Sequence, residues 1–312
     1  MSNTSSVDAA FLQIDTSSIK NKQKRTKIFQ RQQAEKTRLK SKEKRAKRKK
    51  TALALGEDEQ VKKKPQTIDS TREVDETLIT QNDEEIENDE AQDEFANYFT
   101  GSVEPKIIIT SCYRPTKRSY QFIRDLLHVF PNSVYYARKK YPIKTIVQTL
   151  NERGGFTDLL IINEDHKEFN ALTHIHLPNG PTAYYKMSSV VLCDEISNHG
   201  NPTSHHPEVI LNNFNTRLGH RVGRMLGSLI HQKPEFRGRR VVTFHNQRDF
   251  IFFRHHRYIF TPKRDKAELQ ELGPRFTLKL QWLQHGTFDT QHGEFEWMHK
   301  NEMDTSRRRF FL

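Results

Sequence analysis

Cysteine is almost absent from this chain: Cys112 and Cys193 are its only two in 312 residues. Two thiols make neither a disulfide framework nor a Cys-rich zinc site, and a reducing compartment suits them. No apolar run reaches the roughly 20 residues of a membrane-spanning helix, and no signal peptide opens the chain. A soluble intracellular protein is the expectation. A Gly-rich phosphate loop ending in Gly-Lys-Ser/Thr is also missing, and Arg153-Gly-Gly155 is too bare to replace it. The fifteen histidines lack carboxylates or cysteines at ligand spacing. His174 and His176, His205 and His206, and His255 and His256 therefore define no metal centre; adjacent histidines on a strand point to opposite faces. RNA cleavage by His245 with Arg248 has no positive support. We expect no catalytic residue, no metal and no cofactor.

What the chain does have is charge, unevenly laid out. Lys20 to Lys50 carry sixteen Lys/Arg against two acids, and Glu57 to Glu94 carry fifteen acids against four bases. Over residues 1–104 the signs cancel, so residues 105–312 hold the whole formal charge of +12. Sustained apolar patterning also begins only near Pro105. These shifts predict a charged N-terminal arm over 1–104, basic at 19–50 and acidic at 57–94, and a folded region over 105–312. A basic domain with a basic and an acidic arm suits a polyanion plus protein partners.

The basic run has no Gly or Pro and is dense in good helix formers, but like charges at i,i+4 oppose a free helix. It is expected to be disordered or extended alone and partly helical on RNA. Lys22, Lys24, Arg25, Lys47 and Arg48 are its candidate RNA contacts; the alternatives are a nuclear or nucleolar address and a merely solvated tail. The acidic run ends in the aromatic cluster Phe95–Phe99, a composition that docks on basic surfaces; the alternative is a charge-balancing linker.

From Pro105 onward strands and helices alternate. Apolar β-branched runs predict strands at 106–110, 133–136 and 158–162, and a hairpin of 173–177 with 182–187 around Pro178-Asn-Gly-Pro181. Helical periodicity marks 119–130 and 143–150. A second pass brings strands at 208–211, 240–244 and 250–253 and a helix at 218–230. Gly180-Pro-Thr-Ala-Tyr-Tyr-Lys186 and Gly273-Pro-Arg-Phe-Thr-Leu-Lys279 have one form, about ninety residues apart. That offset predicts an α/β fold of two pseudo-repeated halves, about 105–205 and 206–312, within one domain. The second half shows no counterpart of the 143–150 helix.

Two segments stand out for binding. On a helix from Thr216, Arg217, His220, Arg221 and Arg224 share one face, Leu218, Val222, Met225 and Leu229 another, and Gly219, Gly223 and Gly227 form a thin strip. Such a face suits phosphates; the alternative is a salt-bridged surface over tight helix–sheet packing. Thr243 to Phe260 interleaves aromatics with Arg and His, the composition of single-stranded RNA binders. There His245, Asn246, Arg248, Arg254 and Arg257 are the contact candidates, and Phe250 to Phe253 are assigned to the core.

Four of these segments resemble the signature of the Brix domain family: Gly180–Lys186, Phe214–His220, Phe244–Arg254 and Glu271–Phe276. They stand in the family order and span nearly all of 105–312. Pro65–Asp69, Asp93–Phe99 and Glu302–Arg308 resemble one branch of that family. The resemblance implies halves like the anticodon-binding domain of class II tRNA synthetases. It implies a nucleolar assembly factor that binds precursor rRNA during large (60S) subunit biogenesis and pre-rRNA processing, within the pre-60S particle and with a dedicated protein partner. Neither membrane nor DNA is an expected partner. Lys186 and Arg275, inside the matched segments, join the RNA-contact candidates. An RNA-processing enzyme and a protein-interaction adaptor are the alternatives.

Overall fold

The computed structural model describes residues 20–55, 66–73, 76–79, 83–261, 266–289 and 291–312, without the side chains of 48–55 and 69. Met1–Gln66 and Thr67–Leu312 are separate compact units. In the first, the basic arm is one 34-residue helix, α1 (Lys22–Leu55), about 50 Å long at 1.5 Å per residue. The helix formers prevail over the expected extended state. Lys22, Lys24, Arg25 and Lys47 are exposed on it; the side chain of Arg48 lies outside the described residues, as do the acids at 57–65.

The second unit begins with two short acidic-to-aromatic helices, α2 (Glu84–Gln92) and α3 (Ala96–Phe99). Asp83 caps α2 by accepting from the Glu85 amide, and three glutamates in its first turn suit the helix dipole. Then follow β1 (Ile107–Ser111), α4 (Lys117–Val129), β2 (Ser133–Tyr135), α5 (Ile143–Arg153), β3 (Asp158–Asp165), β4 (Glu168–His176) and β5 (Thr182–Val191). The second pass is β6 (Glu208–Asn212), α6 (Arg217–Gly227), β7 (Arg240–Gln247), β8 (Phe250–Phe260), β9 (Ala267–Glu271), β10 (Arg275–Gln284) and β11 (Phe295–Met298).

All eleven strands join one sheet in the order β2-β1-β3-β4-β5-β10-β8-β7-β6, with β9 on β8 and β11 on β10. The order reads as two copies of one plan. β1 and β3 are parallel, as are β6 and β7. Each parallel pair leads into antiparallel strands that end at β5 or β10, and these two pair with each other at the centre. In that pairing Lys186 stands opposite Lys279. A local twofold axis therefore passes between the two lysines that the Gly-Pro motifs made equivalent. Both motifs carry a cis Gly–Pro bond. Among the described residues the second half has no equivalent of β2 or α5.

Both sheet faces are apolar in the first half, as the unbroken Ile107–Ile109 and Leu159–Ile162 runs require. Ile107, Ile109, Leu160 and Ile162 enter the main core with α4 and α6, through Phe122, Leu126, Val222 and Met225. Ile108, Leu159, Ile161 and Ile175 face α5 through Val147. The three glycines of α6 allow close packing: at Gly219 a Cβ would sit 2.8 Å from the Leu312 carbonyl carbon.

Two polar clusters lie inside. Asp158, fully buried, accepts hydrogen bonds from His174 Nε2 (2.9 Å) and His176 Nδ1 (2.8 Å), while Phe95 and Tyr98 lie against the His176 ring. Burial alone would raise this carboxyl's pKa; the two histidine bonds overcome it and hold the group far below the usual range. In the other half Arg240 is 1% exposed. Its guanidinium donates to the carbonyls of His128, Thr203 and His205 and to His255 Nε2. No carboxylate pairs with it among the described residues, and burial lowers its pKa to about 10.

Candidate nucleic-acid interface

The basic face of α6 forms as its spacing predicts. Thr216 caps the helix, accepting from the Gly219 amide at 2.8 Å and donating to the Phe311 carbonyl at 2.7 Å. Its cations, however, already have partners from the same chain. Arg217 meets Glu85 at 2.7 Å and His220 meets Glu90 at 2.6 Å. Arg221 bonds Glu94 (2.8 Å) and Glu296 (3.3 Å), and Arg224 grips Asp93 (2.6 Å) and Glu90 (3.4 Å). Hydrogen bonding from Arg217 lowers the Glu85 pKa. At Glu94 burial acts upward, and the Arg221 bonds bring the net shift down. The acidic segment thus docks on the basic helix in cis, and the surface takes its salt-bridged form. Phe95, 0% exposed, anchors the strap in the main core, and the Arg224 guanidinium lies 4.5 Å over the Phe99 ring.

Most of these pairs are partly exposed and contribute little individually. Arg224–Asp93 is the best protected, with side chains 14% and 12% exposed. Asp93→Ala is therefore expected to cost about 2 kcal/mol, because it strips a bidentate partner from a largely buried guanidinium. Urea unfolding measures the loss. Limited proteolysis should also cut the 83–94 strap sooner.

A second basic surface has no such cover. It lies on the α5 side of the sheet, in the half where no helix packs on that side among the described residues. Strand alternation and register place Lys186 and Tyr184 of β5 there, with Lys279 and Trp282 of β10, Phe250, Phe252 and Arg254 of β8, and His245 of β7. One row across the strands reads Phe250–Lys279–Lys186, and the next sets His245 beside Phe252. Lys279 Nζ is 5.6 Å over the Phe250 ring, and Arg254 lies 5.9 Å over Phe252. Tyr184 and Trp282 stack with 7° between their planes. Neither lysine is ion-paired among the described residues. Like charges directly opposite on a sheet repel, so the Lys186–Lys279 pair is an arrangement that a polyanion relieves. Aromatic rings between cations add the stacking surface that unpaired bases use.

The other sequence candidates are scattered. Arg248 is exposed at the β7–β8 turn, where it and Asp249 both have positive φ (55° and 65°), as a two-residue hairpin requires. Arg257 is exposed on the opposite face of β8 from Arg254. Arg275 pairs with Glu271 at 3.0 Å. Asn246 is 3% exposed and donates to the Asn213 carbonyl at 2.9 Å, which turns it away from solvent. Phe250, assigned to the core from sequence, is 42% exposed. Lys279, Tyr184 and Trp282 were not among the sequence candidates. The Lys186/Lys279 equivalence of the two Gly-Pro strands was the signal that could have found Lys279. Among the described residues no cluster of His, Cys, Asp and Glu could hold a metal ion.

The chain has relatives among known proteins. Residues 113–282 match the Brix domain. Ribosome production factor 1 of Pongo abelii is 54% identical over 300 residues, covering 95% of this chain and 84% of that protein. Ribosome production factor 1 of Saccharomyces cerevisiae is 45% identical over 299 residues, covering 94% of this chain and 97% of that protein. A crystal structure of a probable ribosomal biogenesis protein from Aeropyrum pernix K1 aligns with 63% of this chain and 99% of that chain, at a TM-score of 0.40 and 13% identity.

Proposed function

The chain belongs to the Brix domain family, and from that premise we propose that it is a nucleolar ribosome assembly factor. It binds precursor rRNA during large-subunit biogenesis and acts by binding, without turnover. Its partners are the pre-60S particle and a protein of that particle. The observation that carries the RNA contact is the bare sheet face where Lys186 meets Lys279 across the local twofold among Phe250, Phe252 and Tyr184. Arg254 and His245 extend it. The exposed bases of α1, beginning with Lys22, Lys24 and Arg25, add mobile-counterion exchange with phosphates and little sequence choice. Arg217, His220, Arg221 and Arg224 reach RNA only where the carboxylates of Glu85, Glu90, Asp93, Glu94 and Glu296 leave them.

The test is a titration of single-stranded precursor-rRNA fragments with the full chain at several salt concentrations. Lys186→Gln with Lys279→Gln should weaken binding at least tenfold. It should also flatten the log–log salt slope by about 1.4, the loss of two phosphate contacts on a single strand. Thermal stability should hold, since the pair repels in the folded state. RNA recovered after incubation should be full length. Unchanged affinity and slope would reject this face as the contact; turnover of the RNA would reject the binding role.

A further inference from the structure

At the outer edge of the first half a small cavity of about 130 Å³ opens between β1 and α5. Its floor is aliphatic, from Ile108, Ile146 and Leu150, and its rim includes Tyr136, Tyr141 and Arg138. The tyrosines are 56% and 60% exposed. Their loop is nevertheless fixed. The Tyr136 amide donates to the Ile109 carbonyl at 3.1 Å, and Thr110 Oγ1 donates to the Tyr136 carbonyl at 2.7 Å. Arg138 Nε donates to the Tyr141 carbonyl at 3.1 Å. The guanidinium is thereby held beside two solvent-facing rings.

The two charged residues that line the cavity, Arg138 and Arg153, are both cationic. Arg138, Lys139, Lys140 and Arg153 stand at or next to it, and none is ion-paired among the described residues. Lys106 lies 5.1 Å over the Phe156 ring on the same wall. This is the opposite of α6, where every cation of the face has a carboxylate. Ile108 and Thr110 project from the same side of the sheet as Lys186 and Lys279, by the register through β3, β4 and β5. The cavity is well below the roughly 300 Å³ where sites for drug-sized ligands begin. It has room for a single flat ring. The second half has no equivalent of α5 among the described residues.

We propose that this cavity takes one unpaired nucleobase of a single-stranded RNA, stacked against Tyr136 and Tyr141, with the flanking phosphates on Arg138 and Arg153. The proposal rests on the RNA-binding reading and adds a base-specific site to it. The sheet face holds the backbone; the pocket holds a base.

The experiment uses the full chain with a ten-nucleotide oligouridine, a 4-thiouridine version of it, and an abasic ribose-phosphate ten-mer. The 4-thiouridine oligomer should crosslink to the peptide spanning residues 136–141. Tyr136→Ala with Tyr141→Ala should lower oligouridine affinity tenfold or more, as loss of stacked bases does. The salt slope should stay unchanged, and so should binding of the abasic oligomer. Both side chains are exposed, so the fold should tolerate the change, and an unchanged melting temperature verifies it. Equal affinity of variant and parent, or an equal loss on the abasic oligomer, would overturn the pocket while leaving RNA binding in place. If the parent chain binds none of the three oligomers, the RNA reading itself is overturned.

Discussion

Arg240→Ala lowers the stability of the folded unit by about 4 kcal/mol, the largest loss we expect from one surface-remote substitution. The side chain is almost fully buried and joins two separate pieces of backbone, the end of α4 and the 203–205 segment, to β8. One of its acceptors, the His128 carbonyl, belongs to the last turn of α4, where carbonyls lack helical partners and the helix dipole is negative. Alanine removes every donor at once. Three part-buried carbonyls and the buried His255 Nε2 lose their partner, at up to roughly 1–3 kcal/mol each before relaxation and water entry. A cavity is added. Lysine should rescue little, because a single ammonium cannot reproduce the planar spread of guanidinium donors. Urea midpoints for the two variants measure this. A loss under 1 kcal/mol for alanine would mean that water replaces the guanidinium freely.

The same cluster makes the protein acid-sensitive. His255 is 0% exposed; its Nδ1 faces the Gly273 carbonyl at 2.8 Å and its Nε2 faces Arg240 Nε at 3.2 Å. A carbonyl can only accept and a guanidinium can only donate, so the ring is neutral with its proton on Nδ1. A second proton would lose the Arg240 bond and set two cations side by side. Burial first, and then the charge of Arg240, lower the pKa of His255 to about 3. The unfolded chain takes up a proton near pH 6.5 and the folded chain does not. Stability from this group is therefore complete above pH 6.5 and is lost as pH falls toward 3. Between pH 7 and pH 5 the loss is about 2 kcal/mol. His255→Asn should be less stable at pH 7 and show a shallower decline to pH 5 than the parent chain. Parallel declines would assign the acid sensitivity to other groups.

Much of the fold can be read from local pattern. The unbroken apolar runs at 107–109 and 159–162 became β1 and β3 because both faces of those strands are covered. Lys117–Val129 and Ile143–Arg153 follow their periodicity within a few residues. The ninety-residue offset became a local twofold. β9 and β11 were not legible: Ala267–Glu271 and Phe295–Met298 are short, polar-rich edge segments whose pairing depends on where β8 and β10 end. Asp158 opens β3, and only the register of β3 with β4 brings two histidines to it. The basic face of α6 was legible as chemistry but not as occupancy. Its partners lie about 130 positions away in a segment whose docking tendency was visible, and whose target proved to be the same chain.

The central pairing of β5 with β10 also sets an order of events at birth. A chain emerging from the ribosome at roughly 5–20 residues per second completes β5 several seconds before β10, about ninety residues later, becomes available. Through that interval the first half presents a ten-residue strand with one side unpaired. An open edge of that length invites pairing with another nascent chain. Lys186, Ser188 and Ser189 on it are exposed, and a charge among small polar residues is the kind of sequence that discourages such pairing.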